Sequence, residues 1–71
     1  MSTEIVAPIE GKIGSISVKV GDVVEEDDVL LVLEAMKMEN PIYATEGGSV
    51  REIKVKVGDK VGADQLLVVI G

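Results

Sequence analysis

Displaced by 37 residues, the chain lies on itself: Ile5–Glu34 aligns with Ile42–Gly71 without a gap, and thirteen of the thirty aligned positions are identical. Ile16-Ser17-Val18-Lys19-Val20-Gly21-Asp22 falls on Ile53-Lys54-Val55-Lys56-Val57-Gly58-Asp59. Downstream, Val24, Asp27, Leu30 and Val32 fall on Val61, Asp64, Leu67 and Val69; upstream, Ile5, Ala7 and Gly11 fall on Ile42, Ala44 and Gly48. A unit of thirty residues cannot cover its own apolar face, whereas two such units facing one another can. The repeat therefore predicts one domain, residues 1–71, with an approximate internal two-fold axis. Its copies are 5–34 and 42–71, joined by a bridge over 35–41.

Each copy reads as short strands with turn punctuation. Ile16, Val18 and Val20 alternate with Ser17 and Lys19, and Ile53, Val55 and Val57 alternate with Lys54 and Lys56, the period of a strand with one wet face. Gly21-Asp22 and Gly58-Asp59 then read as turns. Val29–Leu33 and Leu66–Ile70 are continuous apolar runs rich in β-branched residues, suited to strands deep in a sandwich. The fold class expected is all-β, a flattened barrel or sandwich.

Composition then narrows the chemistry. The chain is 46% hydrophobic and 1% aromatic, so Val, Ile and Leu must make the core, with Tyr43 the only ring. It has no Cys and no His, which removes disulfides, thiolate and imidazole metal ligands, and the usual nucleophile–base pairs. The carboxylates of Glu34, Glu39, Asp22 and Asp59 read better as solvated sheet or turn residues than as catalytic groups. No catalytic residue and no metal site is expected. A net charge of -6 argues against nucleic acid and against anionic membrane surfaces. The longest apolar runs are far too short to span a bilayer, and residues 1–11 lack the basic start and apolar stretch of a signal peptide. The expectation is a small, acidic, cytoplasmic module, monomeric when isolated, without membrane insertion and without catalysis of its own.

The bridge Ala35-Met36-Lys37-Met38-Glu39-Asn40-Pro41 is the one segment the repeat does not explain. With two-fold symmetry it must form a hairpin on one rim, with Lys37 at its tip and the chain ends near the opposite rim. A lone hairpin lysine is ordinarily a solvated charge that discourages edge pairing. Met36 and Met38 are less ordinary, because turns usually carry Gly, Asn or Asp. Side chains flanking a tip cannot both enter a thin core, so they read as a surface that another protein grips.

At this point the sequence resembles a known family. Glu34-Ala35-Met36-Lys37-Met38-Glu39-Asn40 is similar to the attachment motif of biotinyl domains, the carboxyl carrier modules of biotin-dependent carboxylases and decarboxylases. The likeness extends to Ala7-Pro8-Ile9-Glu10-Gly11, to Val20-Gly21-Asp22-Val23-Val24 and to its second copy Val57-Gly58-Asp59-Lys60-Val61. The resemblance implies a flattened β-barrel of two four-stranded antiparallel sheets. It implies biotin as cofactor, joined by a biotin protein ligase as an amide to Lys37, with Ala35, Met36 and Met38 serving recognition by the ligase and the partner enzymes. Acylation removes the lysine charge and takes the net charge from -6 to -7. Biotin's valeryl chain then lengthens the tether to roughly ten bonds of ~1.5 Å, enough to sweep more than ~10 Å. Such an arm raises the local concentration of the carried group without releasing it. The function implied is to shuttle a carboxyl group between a biotin carboxylase and a carboxyltransferase or decarboxylase.

Two departures qualify the likeness. Asp27 and Asp64 stand five residues after the Asp of each Gly-Asp pair, where many family members have Gly; Asp tolerates the left-handed conformation that this implies. The gapless alignment of the halves also leaves no room for the thumb insertion of some acetyl-CoA carboxylase carriers. Two other classes share the fold. A lipoyl carrier of a 2-oxo acid dehydrogenase or glycine cleavage system has the same hairpin lysine, usually with Asp-Lys-Ala rather than Met-Lys-Met. A non-carrier, lipoyl-like adaptor needs no tip lysine at all. The mass of the intact protein separates the three.

Overall fold

Each repeat supplies four strands in the same order. A computed structural model describes residues 2–71. The first copy contributes β1 (Thr3–Val6), β2 (Gly11–Ile16), β3 (Val23–Val24) and β4 (Val29–Ala35). The second contributes β5 (Met38–Tyr43), β6 (Gly48–Ile53), β7 (Lys60–Val61) and β8 (Leu66–Ile70). The strands form two four-stranded antiparallel sheets, ordered β1-β8-β6-β3 and β5-β4-β2-β7. A shift of 37 residues carries β2 onto β6 and β3 onto β7 residue for residue. The same shift repeats the hydrogen bonds between turns and strands: Ala44 N–H donates to Asp28 O at 2.8 Å and Ala7 N–H to Gln65 O at 2.9 Å. Likewise Gly21 N–H reaches Val50 O and Gly58 N–H reaches Ile13 O, both at 2.8 Å.

The halves do not face one another as separate layers. Each sheet takes two strands from each copy, so the copies are interleaved. The alternating segments expected to be strands explain how. Ile16 and Ile53 are the last residues of β2 and β6, and the residues that follow cross from one sheet to the other. Ser17 N–H still donates to Leu30 O at 2.9 Å, and Lys54 N–H to Leu67 O at 2.8 Å. A few residues on, Asp22 O accepts the Val50 N–H and Asp59 O the Ile13 N–H, each from the sheet that the crossover is about to join. The alternation therefore marks crossovers that turn Ile16, Val18 and Ile53 toward the core while the backbone leaves the ladder. The turns that end them are built by Asp side chains: Asp22 Oδ2 accepts Lys19 N–H at 2.9 Å, and Asp59 Oδ2 accepts Lys56 N–H at 3.0 Å. Gly21 and Gly58 supply the positive φ, 98° and 95°, that such turns need.

The interior is symmetric too. Ile5/Ile42, Ala7/Ala44, Ile13/Val50, Val24/Val61, Leu30/Leu67, Leu31/Val68 and Leu33/Ile70 are twins under the shift, and all are buried. No polar or charged side chain is buried among the described residues. Burying a Leu or Ile in this way is worth about 1.5–3 kcal/mol each, and in so small a domain such terms decide whether the chain folds.

Candidate functional site

The two copies are joined by the tightest connection a β-hairpin allows. β4 and β5 pair from Leu31 opposite Ile42 up to Ala35 opposite Met38, leaving Met36 and Lys37 as the whole loop. Residues 38–41 of the expected bridge thus belong to β5, and only two residues turn the chain. Two-residue hairpins whose central residues both have positive φ are type I′ turns, which match strand twist and favour Asn-Gly. Here the φ values are 54° at Met36 and 63° at Lys37. Each residue carries a Cβ into the left-handed region, which costs about 1–2 kcal/mol per residue. Such strain concentrates at functional sites, where surrounding structure holds it in place.

The hairpin's two faces differ. Outward stand Glu34 and Glu39, directly opposite one another and both exposed. Inward stand Leu33, Ala35, Asn40 and Ile42, the three hydrophobic members buried and Asn40 half-buried. Beyond the rim the side chains leave the barrel: Met36 is 85% exposed and Met38 67%. Lys37 is exposed at the tip, and the one ion pair among the described residues joins Lys54 to Glu52 instead. Its amine is therefore accessible and uncommitted. A shallow hollow beside the tip is lined by Lys12, Glu34, Lys37, Met38 and Glu39.

Of the residues singled out in the sequence, Lys37, Met36 and Met38 are together on the exposed tip. Ala35 is not part of that surface. Its side chain is buried against β2, because the hairpin must sit flat on its neighbour strand. The approach is close: a Cβ at Gly11 would lie 2.5 Å from Glu34 O and 3.1 Å from the Ala35 Cβ. Glycine at position 11 and alanine at 35 are small for the same packing reason. Asp27 and Asp64 adopt the left-handed conformation expected of them, with φ of 73° and 66°. Sequence reasoning missed Asn40, whose side-chain amide lies beneath the turn. The available signal was an Asn at an inward strand position, where Asn is a poor strand former.

The charge pattern also separates this end of the barrel from its twin. Lys60, Lys12, Glu34 and Glu39 stand in register across β7, β2, β4 and β5, all exposed. Their equivalents at the other end are Val23, Ser49, Gly71 and Ser2, with no charged side chain. There Ser49 and Gly71 exchange backbone hydrogen bonds of 3.0 and 2.9 Å where the chain ends.

Comparison with known proteins gives a consistent picture. A family model described as biotin-requiring enzyme matches residues 3–70. The gamma subunit of glutaconyl-CoA decarboxylase from Acidaminococcus fermentans is 61% identical over 41 residues, covering 58% of this chain and 28% of that protein. The biotin carboxyl carrier protein of Streptococcus mutans is 55% identical over 38 residues, 54% of this chain and 29% of that protein. Among solved structures, the urea carboxylase of Kluyveromyces lactis superposes with a TM-score of 0.95 at 35% identity, over 100% of this chain and 6% of the enzyme. The chain thus spans under a third of the length of each of these proteins.

Proposed function

The chain belongs to the family of biotin-requiring enzymes, and from that premise we propose that it is a biotin carboxyl carrier with Lys37 as its attachment point. The observation that carries this reading is an uncommitted lysine amine, flanked by two exposed methionines, at the tip of the only two-residue turn between the repeats. Forming an amide with biotin's carboxylate requires an Nζ that a ligase can reach from solvent, and Lys37 meets that requirement. When bound, biotin supplies a ureido ring able to carry a carboxyl group. The chain's own part is mechanical. The paired sheets hold β4 and β5, the hairpin holds the lysine clear of the barrel, and the tether keeps its cargo at high local concentration near neighbouring sites.

We assign no catalytic step to these residues. The catalytic partners are a biotin carboxylase together with a carboxyltransferase or decarboxylase, and the modifying partner is a biotin protein ligase. Support comes from the kinds of protein to which the chain is similar. The exposed methionines are flexible, polarizable contacts of the sort that serve several partners in turn. Intact-mass measurement after incubation with a biotin protein ligase, biotin and ATP tests the reading. One added biotin, mapped to Lys37, is expected. A lipoyl adduct on protein from the source cell, or biotin on any other lysine, overturns it.

A further inference from the structure

A Met-Lys pair does not choose a type I′ turn unaided, since that turn favours Asn-Gly. Something outside the turn must hold Met36 and Lys37 at positive φ. The β4–β5 ladder closes the turn at Ala35 and Met38, and the side chain in position to hold it there is the amide of Asn40. It sits on β5 opposite Leu33, half-buried, on the inward face between Met38 and Ile42. Its Nδ2 donates toward Leu33 O at 3.3 Å, Met38 O at 3.3 Å and Ala35 O at 3.5 Å. Ala35 and Met38 are the residues immediately before and after the turn, so this one amide ties both ends together from beneath. Two protons serve three acceptors, and no acceptor on Asn40 is needed for the arrangement.

The internal symmetry supplies a control. Under the 37-residue shift the twin of Asn40 is Thr3, on a strand with no hairpin beside it. Thr3 spans no turn; its hydroxyl donates to the Glu46 carboxylate. The amide is present where the strained turn is present and is replaced where it is not.

We propose that Asn40 is a positioning residue for the modification of Lys37: it locks Met36-Lys37 in the left-handed turn and so presents the lysine to the ligase in one direction. This rests on the reading of Lys37 as the attachment point. The test compares the wild-type chain with Asn40→Ala and with Asn40→Asp, which keeps the shape but cannot donate. Initial rates of biotinylation are measured over a range of chain concentrations. The φ-sensitive three-bond HN–Hα couplings of Met36 and Lys37 are recorded on the unmodified chains.

Asn40→Ala is expected to lower the ligase kcat/KM by about tenfold, the worth of one to two hydrogen bonds of this kind, mainly through KM. Asn40→Asp should lose at least as much. In both, the couplings should move toward averaged values while the β-sheet circular dichroism persists. Met36→Asn favours the turn by itself, so Asn40→Ala should matter less in a Met36→Asn background than in the wild type. Should Asn40→Ala fail to fold, Asn40→Ser takes its place, with an intermediate loss expected from its single donor. Wild-type rates in a folded Asn40→Ala chain, unchanged couplings, or equal losses in both backgrounds each overturn the proposal. Failure of the wild-type chain to be labelled at Lys37 overturns the attachment reading instead, while the couplings still judge whether Asn40 holds the turn.

Discussion

The protein places residues other than glycine in the left-handed region at two kinds of site, and the kinds differ instructively. Asp27 and Asp64 are twins, one in each repeat, with similar φ values of 73° and 66°. Their backbones are tied to the opposite half: Asp27 N–H donates to Ala44 O at 2.8 Å and Asp64 N–H to Ala7 O at 2.7 Å. Asp is among the residues that tolerate this conformation, so these turns are locally consistent with their sequence. Met36 and Lys37 form the other site, and it has no twin. Neither residue suits the conformation, and both point large side chains into solvent. Where the fold alone is served, sequence and backbone agree and the solution is repeated. On the hairpin that joins the copies they disagree once, and that turn leaves a lysine exposed at its tip.

The sharpest way to break that contrast is to remove the unrepeated lysine. Lys37→Ala should abolish labelling by a biotin protein ligase, read by intact mass, while the denaturation midpoint stays almost unmoved because the side chain is exposed. Label persisting in that variant would erase the functional half of the comparison. Next in size are the repeated core twins. Leu30→Ala and Leu67→Ala should each lose about 2–5 kcal/mol in chemical denaturation, and the two losses should be alike, both sites being fully buried. A wide gap between them would show that the halves share geometry without sharing packing.

Smaller effects are expected at the repeated turns. Asp27→Val and Asp64→Val should each cost about 1–2 kcal/mol, because a β-branched residue tolerates positive φ poorly. Asp→Gly at either place should be near neutral, since relief of strain is offset by the freer unfolded chain. Equal tolerance of Val and Gly, in matched denaturation curves, would remove the left-handed turns from the account. The smallest changes belong to the tip. Met36→Ala and Met38→Ala should stay within about ±0.5 kcal/mol of wild-type stability. A drop of several kcal/mol at Met36 would make it a core residue and refute its reading as a partner contact.

Much of this was legible in the chain because it is written locally. The 37-residue repeat, the Gly-Asp turns and the apolar runs that became β4 and β8 all depend on neighbours close in sequence. So does the oddity of Met-Lys-Met between two copies of a strand pattern. The alternating segments after Ile16 and Ile53 misled for an instructive reason. Period two holds for Ile16, Val18, Ile53 and Val55, which face the core, and fails at Val20 and Val57, which are exposed; over its first part a crossover that packs against the core satisfies it as well as a paired strand does.

By itself, then, the sequence determined that two equivalent halves fold around a Val, Leu and Ile core, and that one lysine stands outside their symmetry. Tertiary structure alone decided that the halves interleave, since strand pairing is a choice among distant partners that no local pattern records. It decided that Ala35 is buried, because the backbone of β2 approaches to within a side chain's width at Gly11. And it decided the left-handed turn at Met36-Lys37, a conformation their own propensities oppose, which the β4–β5 ladder imposes and the Asn40 amide is placed to hold.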